Sequence, residues 1–583
     1  MKGHVSRKVS DRREKSENDQ LRNQNSCGQD LSGAPRRMRF PPSSEAPAAC
    51  TPFRAPVALV FIAFVLQSQF SGAQSARFEI AEIRVTRVNV FDSRLPDENH
   101  WIERLVDALH MTTQESFIRD VLTLQSGQSV TSEEIEEAAR VLRKFLFLRG
   151  VEIRKIPRDD GRVDLEVDTR DAWTTKLGGS FGGASGTTHF GFGAEEVNLL
   201  GLGKTVSINF DSTPERKTKK FAYLDPRLFG SVHTLETEYL DNSDGKGYRV
   251  KAERPLLRGA DPYGWSVEGV DLTQTLRIYR NGGTSSKIDD HLRRLSAACL
   301  ITLEGSAAQS LRLGVGWERL RERFEPVSLS APVDLAPDRD RADVFGIFRF
   351  QELRFHSEAY VNKFSRVEDI PIGLDVEIRA GVSPKALAGS ENVFLLGGRA
   401  SQGIETTKES FGLTVATLDV RRGADGVEHS GRFLVDGTLF VRGPEKWPHD
   451  LIVFHARYGA GWGLAPQDRF LLGGTNGLRG YHSHAFDGDR ILLLNFENRI
   501  SGEHEFFRLV QIGAAAFLDS GIAADHRAWD AGRWSTSAGL GLRAAVSRST
   551  HVNVLRLDVA YPFSRDSKGK RGIVVSFGSG QAF

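Results

Sequence analysis

From Leu555 to Phe563 the chain alternates: Leu555, Leu557, Val559, Tyr561 and Phe563 share one face, while Arg556 and Asp558 fall on the other. The same spacing sets Leu492, Leu494, Phe496 and Ile500 opposite Asn495, Glu497 and Arg499. It also sets Val510, Ile512, Ala514, Ala516 and Leu518 opposite Asp519. A side-chain period of two belongs to a β-strand. Strands oily on one face and charged on the other suit the wall of a transmembrane barrel, apolar toward lipid and polar toward the lumen. A helical membrane protein is excluded on other grounds. With 26% charged residues and 58 glycines among 583, and a negative mean hydropathy, the chain has no apolar run long enough for a membrane helix. A barrel escapes that test, because only alternate residues of each strand meet lipid.

This reading points two carboxylates, Glu497 and Asp519, into the lumen from neighbouring strands. Upstream lies Gly474-Thr475-Asn476-Gly477-Leu478-Arg479-Gly480-Tyr481. An arginine brought unpaired into a barrel interior is costly, and its planar fork of donors suits carboxylates better than lysine does. Arg479 is therefore expected to pair with Glu497 and Asp519.

These residues resemble a family. Leu478-Arg479-Gly480-Tyr481 resembles the signature of the sixth extracellular loop in BamA/TamA-type outer-membrane assembly proteins, also called the bacterial surface antigen family. Phe517-Leu518-Asp519-Ser520-Gly521 is similar to that family's aromatic-x-Asp-x-Gly segment. The resemblance implies a loop-lock motif, Gly477 to Tyr481, that folds back into the barrel, with Arg479 pinned by Glu497 and Asp519. It also implies a C-terminal barrel signal at Phe577 and Phe583, weakened by the polar Ser579 and Gln581. The expected fold is mostly β, a transmembrane antiparallel β-barrel over residues 172–583. That length suits roughly sixteen strands of about ten residues with longer outer loops.

Residues 1–73 are expected to be a basic tail plus a secretory signal peptide. The apolar stretch Ala55 to Leu66 follows Arg54 and leads to the small-x-small pattern Ser71-Gly72-Ala73, with cleavage expected after Ala73. Cleavage there removes Cys27 and Cys50 and leaves Cys299 alone, so no internal disulfide is expected. Residues 78–171 have a different character, reading as strand, helices, strand, strand. Thr112 with Glu115, and Thr131 with Glu134, have capping-box spacing and each is expected to open a helix. Ile135, Ala138, Ala139, Leu142 and Leu146 form a helical stripe. This order is similar to a POTRA domain, the small α+β periplasmic module of the same family, with Trp101 to Leu109 as an insertion.

Enzyme motifs are present only in fragments. Gly178-Gly179-Ser180-Phe181-Gly182 fits G-x-S-x-G but lacks the helix that a nucleophile elbow needs. Gly201-Leu202-Gly203-Lys204-Thr205 ends like a phosphate loop, but Asn198 stands where the first glycine is required. His504-Glu505 has Arg508 in place of a second histidine, and His482 and His484 show no metal spacing, so both read as exposed loop residues. Pro326 to Asp343 reads as an outer loop. A formal charge of +2 argues against a nucleic-acid partner. No enzymatic activity, cofactor or metal is expected. The resemblance implies a bacterial outer-membrane barrel that inserts or translocates other polypeptides through a lateral gate. Its POTRA domain would sit in the periplasm and take clients by β-augmentation. Implied partners are unfolded outer-membrane or exported polypeptides, outer-membrane lipid, and periplasmic chaperones or accessory lipoproteins. Alternatives are a dedicated secretion pore for one exported protein and a passive porin or adhesin.

Overall fold

The computed structural model describes residues 76–583 apart from 93, 95–100, 185–186, 328–337, 363, 365–366, 388–391, 408, 425–427, 444–449, 475, 507–509, 530–533, 547–553, 570 and 583. The expected leader and tail over 1–73, and Phe583, lie outside the described residues.

Residues 77–171 form an α+β unit. In chain order it runs β1 (Arg77–Val88), α1 (Trp101–Leu109), α2 (Glu115–Leu122), β2 (Ser129–Thr131), α3 (Ser132–Arg143), β3 (Leu148–Pro157) and β4 (Val163–Asp171). The sheet order is β2-β1-β4-β3, with β1 parallel to β4. Phe117, Ile118 and Val121 of α2 and Ile135 and Leu142 of α3 share one core with Ile80, Leu165 and Val167 of the sheet, so the helical stripe and the strand alternation meet there. The Thr131 box forms: Thr131 Oγ1 accepts the Glu134 N–H at 3.2 Å, and the Glu134 carboxylate accepts the Thr131 N–H at 2.8 Å. The Thr112 box does not. Thr113 is held by Asp171, and Gln114 takes the cap position of α2 without a side-chain cap.

Antiparallel strands make up the remainder. The first run comprises β5 (Thr175–Ala184), β6 (Thr187–Leu199), β7 (Lys204–Ser212), β8 (Lys217–Asp225), β9 (Thr234–Asn242) and β10 (Gly245–Arg254). Longer strands follow: β11 (Tyr263–Arg280), β12 (Gly283–Gly305), β13 (Gln309–Pro326) and β14 (Arg339–Glu352). A separate hairpin, β15 (Phe355–Ala359) with β16 (Val367–Pro371), precedes β17 (Asp375–Ser383), β18 (Val393–Thr407), β19 (Ser410–Gly423), β20 (Glu428–Arg442) and β21 (Asp450–Trp462). A second small hairpin, β22 (Phe470–Leu472) with β23 (Phe486–Gly488), precedes β24 (Arg490–Phe506), β25 (Val510–Ala524), β26 (Ser535–Val546), β27 (Leu555–Pro562) and β28 (Val574–Ser579).

Among the described residues twenty strands close the barrel, all but β1–β4 and the two hairpins, with β28 beside β5. The expected sixteen is therefore corrected to twenty. Strands β7 to β10 span nine or ten residues each, and short turns join β7 to β8 and β9 to β10, so they use little chain. The expected loop from Pro326 to Asp343 is narrowed at its ends, since β13 runs to Pro326 and β14 begins at Arg339, and residues 328–337 of it lie outside the described residues.

The faces follow the alternation. Leu494, Ile500, Ile512, Leu518, Leu540, Leu555, Val559 and Tyr561 are exposed on the outer wall, whereas Glu497, Arg499, Asp519, Arg543 and Asp558 are buried in the lumen. No helix among the described residues is long and apolar enough to cross a membrane, which says nothing of strands.

The α+β unit packs against one mouth of the barrel, here the proximal mouth. The Gln114 N–H donates to the Gly201 carbonyl at 2.8 Å, and the Gly259 N–H donates to Glu137 at 2.8 Å. Thr113 accepts from Asn198 at 2.9 Å, and Asn198 in turn accepts the Gly203 N–H at 2.7 Å. Gly203 has φ +67°, and a Cβ there would stand 2.7 Å from the Phe117 ring, so this turn needs glycine.

Candidate functional site

The connection between β21 and β24 leaves the distal mouth and turns back into the lumen. Its apolar residues make a small core of their own, with Phe470, Leu472, Leu478 and Tyr481 packed on Ile491 and Leu493 of β24. Two glycines permit the close approach. A Cβ at Gly477, where φ is +98°, would stand 2.4 Å from the Leu493 side chain, and one at Gly480 would stand 2.3 Å from the Ser537 Cβ. The Gly480 N–H donates to Ser537 Oγ at 3.1 Å, and the Tyr481 hydroxyl donates to the Thr536 carbonyl at 3.0 Å.

That seating delivers Arg479, which is buried, to the inner wall. Its Nε and Nη2 donate to the two oxygens of Asp519 on β25, each at 2.8 Å, and its backbone N–H donates to the same carboxylate at 3.2 Å. Nη1 donates to Glu497 on β24. The guanidinium lies over the Phe517 ring, 3.5 Å from its centroid. Both carboxylates are fully buried. A bidentate fork with a second carboxylate and an aromatic floor satisfies most of the buried polar atoms, which makes such burial tolerable.

The structure thus brings Leu478, Arg479, Gly480, Tyr481, Glu497 and Asp519 together, with Gly477 accepting from Asn495 at 2.7 Å through its carbonyl. It adds residues that the sequence reading did not single out. Arg543 on β26 donates to Asp558 on β27 at 2.6 Å, Arg499 Nε donates to Glu497 at 2.9 Å, and Asp558 lies 3.9 Å from Arg479. The signal for them was available: Arg499, Arg543, Arg556 and Asp558 all fall on lumen-facing positions of strands after the loop, where a charge needs a partner.

Other expected positions fall apart from this cluster. Phe577 stands on the outer face of β28, in line with Val575 and Ile573, and Phe583 lies outside the described residues. His482 and His484 are corrected: both are partly buried. His482 lies 2.9 Å from Asp566, and the His484 ring lies 4.1 Å from that of Tyr279. Gly178 to Gly182 lie within β5, and Gly201 and Gly203 in the turn before β7. Among the described residues no group of His, Cys, Asp and Glu could hold a metal, and Cys299 is a free, exposed thiol.

Fold and site together define a transmembrane β-barrel whose lumen holds an arginine loop returned from one mouth. Residues 450–583 match the Omp85 superfamily domain, and Arg479, Glu497 and Asp519 all lie within the matched segment. No curated protein matches the chain. Similar solved structures include BamA from Haemophilus ducreyi lacking POTRA domains 1–3, at 13% identity over 86% of this chain and 85% of that one, TM-score 0.37. They also include CdiB from Acinetobacter baumannii, at 12% over 86% and 74%, TM-score 0.43, and CdiB from Escherichia coli, at 13% over 88% and 92%, TM-score 0.42.

Proposed function

We propose that this protein is a non-enzymatic barrel that inserts or translocates other polypeptides, with residues 78–171 acting as a POTRA-type receptor in the periplasm. The observation that carries the reading is the buried Arg479 fork on Glu497 and Asp519, which seats a whole loop against the strands leading to the seam. Two further features support it. The seam joins β5 to β28, a strand of six residues, so few backbone hydrogen bonds hold it and its edge can template an incoming strand. Lipid leaves no backbone group unpaired, which drives a client strand to complete its ladder. In the α+β unit, β3 pairs only with β4 among the described residues, so its outer edge can accept an extended client by β-augmentation. The partners this implies are unfolded outer-membrane or exported polypeptides and outer-membrane lipid.

A second reading, a dedicated pore for one exported protein, is favoured by the twenty-strand ring, since barrel diameter grows with strand number. Depletion of the protein in its host, with quantification of the outer-membrane and secreted proteomes, separates the two. Broad loss of barrel proteins supports insertion, loss of one exported protein supports the dedicated pore, and no change in either overturns both.

A further inference from the structure

The hairpin β15–β16 belongs to neither the ring nor the arginine loop. It leaves the proximal mouth after β14, returns to β17, and lies in the lumen. Val361 and Ile370 are buried with Phe411, Phe440 and Val453 of β19, β20 and β21. Phe364 at the hairpin's end packs with Ala545 of β26. In the ring β26 lies seven places beyond β17, where ten places would be diametrically opposite. The hairpin therefore reaches along an arc of the lumen wall well beyond its root.

Its anchors differ in kind at its two ends. Toward the barrel wall, Glu358 pairs with Arg442 of β20, and the Val361 carbonyl accepts from Arg499 at 3.3 Å. Toward the α+β unit, Asp369 pairs with Arg143 of α3 at 2.5 Å, and the Arg140 guanidinium lies 4.8 Å from the centroid of the Phe355 ring. The wall contacts combine a buried apolar bed with the Glu358–Arg442 pair. The α3 contacts are one partly buried ion pair and one cation–π contact, together the smaller of the two anchors.

We propose that this hairpin is a plug across the proximal mouth, held shut by the Arg143–Asp369 pair, and that displacement of α3 releases it to open a conducting path for hydrated ions through the lumen. The wall anchor carries the same movement further. Arg499 bridges the Val361 carbonyl of the hairpin and Glu497, the carboxylate that Arg479 also holds. A shift of the plug thereby reaches the distal loop through one guanidinium. The inference goes beyond the proposed function and does not depend on it, because an ion current is read without any client.

The test is conductance of the full-length chain in planar bilayers with potassium chloride as the probe. Replacing residues 355–371 by a short Gly-Ser turn is expected to raise conductance several-fold. Arg143→Ala is expected to raise open probability about threefold, and the charge swap Arg143→Asp with Asp369→Arg is expected to restore closure. Equal conductance of wild type and the hairpin-less chain overturns the proposal, as does an Arg143→Ala protein that stays as closed as wild type. Should the hairpin-less chain fail to fold, Phe364→Cys with Ala545→Cys in a Cys299→Ser, Arg143→Ala chain reads the same point. The oxidised form should stay closed and the reduced form open, and equal currents in the two forms overturn the proposal.

Discussion

Arg543 and Asp558 form a buried pair at 2.6 Å between β26 and β27, and the second oxygen of Asp558 stands 3.9 Å from Arg479. The lock is thus a lattice of alternating charge shared by the returned loop and four adjacent strands. With Arg556 also 3.5 Å from Asp558, four guanidinium groups and three carboxylates share one largely buried region, and removing any one of them unbalances the others.

Arg479→Ala is predicted to leave a folded but weakened barrel, since two buried carboxylates lose their shared cation at a cost of about 3–5 kcal/mol. Urea unfolding followed by heat-modifiable migration on gels checks the stability, and proteolysis between Gly463 and Gly488 checks the loop. Arg479→Lys should recover little, because an ammonium cannot fork onto Asp519. Full client-handling activity in Arg479→Ala would sink the lock as a functional element.

The Arg543 and Asp558 pair should behave as a coupled unit. Arg543→Leu alone leaves Asp558 with Arg556 as its nearer cation and is expected to cost about 1–3 kcal/mol. The double variant Arg543→Leu with Asp558→Leu is expected to cost less than the sum of the singles. A double-mutant cycle in the same urea assay measures this, and strict additivity would show that the two residues do not interact.

At the junction, Gly203→Ala forces a Cβ to within 2.9 Å of both the Phe117 and Phe147 rings. Overpacking of this kind costs about 1–3 kcal/mol. The Gln114 amide, bonded to the Gly201 carbonyl, should then exchange with solvent deuterium faster than in wild type, while amides of the distal loop keep their rates.

A pH response is expected at the same junction. Burial pushes the Asp171 carboxyl up to about 6, against the opposing effect of the hydrogen bonds from Thr113. A carboxyl raised on folding gives stability that is complete below its unfolded value of 3.8 and is lost as pH rises through about 6. The loss is at most about 3 kcal/mol. After correction for intrinsic rates, the Thr113 amide should be better protected at pH 5 than at pH 7.5. Asp171→Asn should remove that difference, and its persistence in the variant would assign the effect elsewhere.

Much of this was legible in residues whose two faces meet different media. Leu555, Val559 and Tyr561 are exposed and Asp558 is buried, as period-two reading requires, because lipid and lumen impose opposite chemistry on one strand. The partners of Arg479 were legible because a buried guanidinium leaves few alternatives. Strand number was not, since it depends on how chain is divided between ladder and loop, and β12 alone takes 23 residues. The hairpin β15–β16 was also hidden: it alternates like a wall strand, and only its place in the connection from Glu352 to Asp375 sets it apart. Thr112 shows the limit of local spacing, for Thr113 found a better partner 58 residues away in Asp171.

The hairpin β15–β16 also dictates an order of biogenesis. Its bed is built by β19, β20, β21, β24 and β26, all later in the chain than the hairpin itself. The hairpin must therefore wait, unseated, until β26 has joined the ladder, so in this protein's own maturation its seating comes late.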